Sequence, residues 1–301
     1  MKSVINLLII FSVLLIVSSA DFTGDATEYT KGVSTSDGGR GYNCGFMWLP
    51  TNARTHFAAL NAPDYKDAIN CGRCATVKCI DTRCNGYAKE VKVMIIDSCP
   101  ECKTGDLDFS LPAWNDITNN YAIDRFKISW KWDVCDGQFV EGNIRMGIDK
   151  GANQWFASIS ISNTQYGVTS VRIGLTMDSL EELTRRNDNY FFKTLAKPIQ
   201  SFPYYVEFTD LNGNKYSNSF TDYTPGKVYT WNKATTTSTS TSTSTSTSTS
   251  GSSSSSSSSS TGTSTGTTTG SSSNNESVVT TDGFYFLISL LQIVIYLILI
   301  V

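Results

Sequence analysis

The sequence of 301 residues contains one histidine, His56. That weighs against histidine-rich metal sites and against Ser-His-Asp catalysis. It also lacks a charge excess: 24 Lys+Arg stand against 27 Asp+Glu, a net charge of −3. Lys2, Glu276 and Asp282 lie outside 21–233, which leaves −2 across that stretch. Nucleic-acid binding leans on clustered positive charge, so it is excluded as the expected activity. No cysteine occurs after Cys135, and 235–273 hold nothing but Ser, Thr and Gly. No charged residue occurs in 284–301. The part able to build a core is therefore 21–233.

The ends point to export and tethering. Lys2 precedes the apolar run Val4–Val17, and Ser18-Ser19-Ala20 places small residues before Asp21. That reads as a signal peptide over 1–20, cleaved after Ala20. The apolar run 284–301 has 18 residues, about the minimum that spans a bilayer. No Lys or Arg follows it, and small residues with a polar spacer precede it. It is read as a GPI-addition signal or a retained transmembrane helix. Either places the protein on the outer side of a membrane, its second expected partner. The segment 234–283 has nothing to bury, so it is expected to form a disordered, O-glycosylated stalk. Its 39-residue Ser/Thr/Gly core could reach roughly 130 Å when extended. Asn275 begins the only Asn-x-Ser/Thr sequon.

All eight cysteines lie between Cys44 and Cys135: Cys44, Cys71, Cys74, Cys79, Cys84, Cys99, Cys102 and Cys135. An even count in an exported chain reads as four disulfides. Zinc knuckles at Cys71-x-x-Cys74 and Cys99-x-x-Cys102 are the alternative, and spacing does not choose the connectivity. Loss of cysteine after 135 marks a boundary near 136–143.

Residues 21–138 read as short strands and turns. Lys89–Ile96 alternates and then runs apolar into Asp97, Leu111–Ile117 suits a short helix, and Lys127–Val134 alternates again. Short strands with bridges suggest a small β-barrel. In 144–233, Trp155, Ala157, Ile159 and Ile161 share parity, as do Val171, Ile173 and Leu175, and Tyr204, Val206 and Phe208. Asn212-Gly213 is a hairpin signal before Lys215–Phe220. This second part reads as a β-sandwich.

Thr27, Asp97 and Asp108 stand out as polar residues at strand ends and turns. Paired carboxylates are the minimum for glycosidic cleavage, although Asp at such positions commonly caps a turn. The order Ala26-Thr27-Glu28-Tyr29, Gly41-Tyr42-Asn43-Cys44-Gly45, Asn70-Cys71-Gly72-Arg73-Cys74, Asp97-Ser98-Cys99-Pro100 and Leu107-Asp108-Phe109-Ser110-Leu111-Pro112-Ala113-Trp114 resembles the expansins. A weaker likeness continues through Asn153-Gln154-Trp155-Phe156-Ala157 and Arg185-Arg186-Asn187.

The resemblance implies an all-β chain: a double-psi β-barrel, then an immunoglobulin-like β-sandwich. It implies the bridges Cys44–Cys71, Cys74–Cys135 and Cys79–Cys84, which leaves Cys99 with Cys102. It implies binding to cellulose or another β-glucan and wall loosening without hydrolysis, with no cofactor and no metal. Expansins keep the acid-like Asp of related glycosidases, here Asp108, and lack the base. The resemblance places Thr27, Asp97 and Asp108 in a polar groove, and Trp155, Phe156 and Tyr190 in a row of sugar-stacking aromatics. Asp106 replaces the family's histidine. Two residues before Asp108, it is expected to face the same way and to raise one carboxyl pKa. A weak endoglucanase or lytic transglycosylase on the same barrel, and a purely structural matrix protein, are the alternatives.

Overall fold

Alternating apolar positions become six strands that close on themselves. The computed structural model describes residues 21–33, 38–84, 89–121, 124–231 and 235–237. The first six strands are β1 (Phe22–Thr30), β2 (Phe57–Asn61), β3 (Cys74–Cys79), β4 (Val91–Cys99), β5 (Leu107–Ser110) and β6 (Phe126–Asp133). They form a closed barrel in the order β1-β5-β2-β4-β3-β6, in which β1–β5 and β2–β4 run parallel. Phe57, Leu60, Ile95, Phe109 and Trp130 fill it, each at most 1% exposed. The short helix α1 (Ala62–Tyr65) is capped by Asn61, whose side chain accepts from the Asp64 amide. The helix α2 (Leu111–Thr118) starts with Pro112 in its first turn and buries Trp114 and Ile117.

Four disulfides join Cys44–Cys71, Cys74–Cys135, Cys79–Cys84 and Cys99–Cys102. These are the pairings the family resemblance implies. With every thiol bridged, the two CxxC elements have no thiolate to offer zinc.

Two backbones cross closely at Gly24 and Gly105. A Cβ on Gly105 would lie 2.1 Å from the Thr23 carbonyl oxygen, and Gly105 holds φ at +87°. Its own carbonyl accepts the Trp130 indole N–H at 2.8 Å. Gly105→Ala is therefore expected to lower unfolding free energy by at least about 3 kcal/mol. Gly151, with nothing near its Cβ position, is the control. Gly151→Ala should stay within about 0.5 kcal/mol, and guanidinium unfolding measures both.

After a 3-10 turn at Gly137–Phe139, ten further strands follow. They are β7 (Arg145–Ile148), β8 (Phe156–Ser162), β9 (Val168–Gly174), β10 (Glu181–Glu182), β11 (Thr184–Arg185), β12 (Phe191–Thr194), β13 (Tyr204–Asp210), β14 (Lys215–Phe220), β15 (Val228–Thr230) and β16 (Thr235–Thr237). They make two five-stranded sheets, β10-β9-β13-β14-β16 and β11-β12-β8-β7-β15. A second core containing Ile159, Val171, Tyr204, Phe208 and Trp231 serves both. The β13–β14 hairpin turns at Asn212-Gly213, where Gly213 adopts φ +81°. Asp210 is buried there because the Asn212 and Asn214 amides and the Tyr216 hydroxyl all donate to it.

Two expectations shift. The strand expected to end on Asp97 continues to Cys99, and Thr235–Thr237, assigned above to the stalk, pair with β14. The segments 1–20, 238–283 and 284–301, with Asn275, lie outside the described residues. Among the described residues, no helix is long and apolar enough to cross a membrane.

Candidate functional site

Strand pairing assembles polar residues far apart in sequence. Thr27 on β1 pairs with Asp108 on β5, Asp108 with Ala59 on β2, and Ala59 with Asp97 on β4. Asp97 and Asp108 thus sit two strand spacings apart, about 10 Å at the backbone. Ala26, Ile96 and Phe109, beside them in sequence, point into the core. Thr27, Asp97 and Asp108 therefore point outward, with small Ala59 between the two carboxylates.

The hydrogen bonds divide the two acids. The Thr27 hydroxyl donates to Asp108 Oδ1 at 2.6 Å. Tyr29 donates to Asp97 Oδ2 at 3.1 Å, and the Asn43 and Ser98 amides donate to Asp97 Oδ1 at 2.8 and 3.0 Å. Asp97 has both oxygens engaged, so it is poorly placed as a free base. Tyr29 escaped the sequence reading because it lies where the β1–β5 register shifts between Glu28 and Thr30, and alternation from Thr27 does not place it. Burial, and then the Asp97 charge, push its phenol up and keep it a donor.

Burial pushes the Asp108 carboxyl above the usual carboxylate range. The charges of Glu101 and Glu28 add to this, and the Thr27 hydrogen bond opposes it. Asp106 has no such role. It lies just before β5, 8% exposed, and its carboxylate accepts from the Asp25 and Lys103 amides at 2.7 and 3.0 Å. The expected carboxylate pair with Asp108 is not formed, because Asp106 ties a turn to β1.

The pKa shift gives a pH signature. The folded-state pKa of Asp108 lies above its unfolded value, so ionising it opposes folding. The penalty is absent below about pH 3.9 and complete above the raised pKa. Asp108→Asn keeps an acceptor for Thr27 and removes that penalty. It should melt higher than wild type at pH 7, and the gain should vanish near pH 3. Thermal melts at both pH values check this.

The aromatic residues separate differently from the expectation. Trp155 is 48% exposed and precedes β8, in a turn held by its amide on Asn153 Oδ1. Its parity with Ala157 and Ile159 does not bury it, because β8 begins only at Phe156. Phe156 is half-buried on the outer face of β8, and Phe192 lies beside it at 6.1 Å between ring centroids. Tyr190 does not join them. It is 6% exposed, packs near Gly45 of the barrel segment, and carries Arg186 over its ring at 5.0 Å. The aromatic beside Phe156 is Phe192.

Comparison with known proteins bears on the fold that carries these residues. Residues 57–125 match the family described as lytic transglycolase. Over 164 residues the chain is 26% identical to Expansin-like protein 1 of Dictyostelium discoideum, covering 52% of this chain and 54% of that protein. The chain thus spans about half the length of that relative. The crystal structure of apo Clavibacter michiganensis expansin superposes with a TM-score of 0.58 at 23% identity, over 70% of this chain and 96% of that one. A mutant of the same expansin in complex with cellohexaose aligns equally well. The chain is similar to the expansins and expansin-like proteins. The structural likeness extends past the barrel into the paired sheets, where it speaks for the fold.

Proposed function

We propose that this expansin-like protein binds cellulose or a related β-glucan and loosens polymer contacts without hydrolysing them. The glucan would run over Thr27, Tyr29, Asp97 and Asp108 and continue onto Trp155, Phe156 and Phe192. Sugar hydroxyls suit the polar floor, and the apolar sugar faces suit exposed rings. The observation that carries the reading is the division of the acids. The Asp108 carboxyl is held up in pKa and keeps one oxygen out of the Thr27 hydrogen bond, while Asp97 and Asp106 are spent on internal hydrogen bonds. Direct hydrolysis with a water needs a second free carboxylate. The bacterial expansin bound to cellohexaose supports the choice of glucan.

A second reading follows from the lytic transglycolase match. A cleavage in which the substrate supplies its own nucleophile needs only one acid, and Asp108 would be it. One experiment separates the two: pull-down on insoluble cellulose beside product release from β-glucan and peptidoglycan, for wild type and Asp108→Ala. Retention without product is expected, with retention weakened in the variant. Product release that the variant abolishes would replace loosening with catalysis.

The reading includes export and tethering through 284–301. Phosphatidylinositol-specific phospholipase C should free the protein from intact cells if the tether is GPI, and leave it cell-bound if a helix is retained.

A further inference from the structure

Between the polar floor and the aromatic row lies a cleft of about 370 Å³. Asn43, whose amide holds Asp97, lines one end. At the other, Asp149 accepts from Ser158, two residues from Phe156 on the same face of β8. A chain crossing from one surface to the other passes over this cleft.

Its charges are unevenly committed. Arg186 binds both Asp188 oxygens at 2.6 Å and reaches Asp149 at 3.2 Å. Asp149 also takes the Ser158 hydroxyl and the Gly151 amide. Both carboxylates are therefore satisfied inside the fold. Arg40 and Lys150 are exposed, and neither makes an ion pair among the described residues. Both side chains pass close to Gly226. Arg40 Nη2 donates to the Gly226 carbonyl at 3.4 Å, and the Lys150 Cγ lies 3.4 Å from the Cβ position of Gly226. The carboxylate of neighbouring Asp222 is taken by Lys227. Two cationic side chains thus line one cleft, and neither is committed to a carboxylate among the described residues, so an anion entering the cleft can meet both. The planar fork of Arg40 matches a carboxylate, and Lys150 adds a point charge.

We propose that this cleft seats the carboxylate of a uronosyl residue between Arg40 and Lys150, so that the protein engages an acidic polysaccharide. The proposal rests on the glycan path above and adds a subsite to it. The chain's net charge of −3 gives it no general attraction to polyanions, so a preference for one must come from a local site.

The test uses the full chain and two neutral comparators. Binding to polygalacturonate is measured against its methyl ester, with retention on insoluble cellulose in parallel. Wild type should bind the acid form about ten-fold more tightly than the ester. Lys150→Gln should lose part of that preference and Arg40→Gln/Lys150→Gln all of it, with cellulose retention unchanged. Lys150 is exposed, so its variant stays folded if the Arg40 change disturbs the Gly226 turn. Equal affinity for acid and ester, or a double variant that keeps the preference, overturns the proposal. Failure of cellulose retention in wild type would instead remove the glucan reading, and the acid–ester comparison would still judge the cleft.

Discussion

Alanine at both Trp155 and Phe156 should leave a folded protein that insoluble cellulose no longer retains. Trp155 is 48% exposed, so its ring contributes little to the core. The turn beneath it is fastened by backbone groups that alanine retains: the Trp155 amide on Asn153 Oδ1, and the Trp155 carbonyl accepting the Leu195 amide at 2.8 Å. Phe156 lies on the outer face and touches Phe192 rather than the second core. Loss of a stacked ring costs on the order of 1–3 kcal/mol by analogy with base stacking. Two rings then give a weakening of at least about 30-fold, reaching roughly 20,000-fold at the upper end of that range, while stability changes by about 1 kcal/mol. Tyr190→Ala provides the contrast. Tyr190 is buried between barrel and sheets, so the change should cost about 3–5 kcal/mol of stability. Depletion assays with parallel melts distinguish the two patterns. Unchanged retention in the Trp155/Phe156 variant would remove the aromatic row from the binding site.

Strand interiors were legible in the sequence; the residues just before strands were not. Tyr204, Val206 and Phe208 alternate through β13 as their parity requires, and Asn212-Gly213 turns where expected. Tyr190 and Asp106 depart from the places the resemblance implied, Trp155 departs from its parity with Ala157 and Ile159, and all three share one position. Trp155 precedes β8, Tyr190 precedes β12 and Asp106 precedes β5, each by one residue. The period of two holds only where the backbone is already extended and paired. One residue earlier the chain is still in a turn, and the side chain goes where the turn sends it. Trp155 is thereby released to solvent, Tyr190 is tucked against Gly45, and Asp106 folds back onto the Asp25 amide. Each such error matters, because loops entering strands also carry the side chains that ligands meet.

The contact between Thr27 and Asp108 was illegible for another reason. It joins residues 81 apart through a parallel pairing of β1 with β5. No local pattern reports such a pairing, and only the order of family motifs pointed to it. Phe192 is the last of three consecutive aromatics, Tyr190, Phe191 and Phe192, and the family resemblance took Tyr190 from among them. The structure chooses through the β8–β12 register, in which Phe192 pairs with Ser158 on the outer face and Phe191 turns into the core.

The four bridges should differ in worth, and the longest should dominate stability. Cys74–Cys135 spans 61 residues and Cys99–Cys102 spans 3. In the chain-entropy account the first constrains the unfolded chain by about 4 kcal/mol and the second by about 1.5 kcal/mol. Position reinforces the ranking. Cys74 opens β3, and Cys135 follows β6, whose strand pairs with β3 along its length. The Cys135 amide also donates to the Gln165 carbonyl at 3.0 Å, so the bridge lies where the chain leaves the barrel for the sheets. Both half-cystines are fully buried, whereas the 99–102 loop carries exposed Pro100 and Glu101. Cys74→Ala/Cys135→Ala should therefore lower the unfolding free energy by about 4 kcal/mol, and Cys99→Ala/Cys102→Ala by less than half of that. Guanidinium unfolding under non-reducing conditions gives both values. Equal costs would mean that these bridges act through native packing rather than by restricting the unfolded chain.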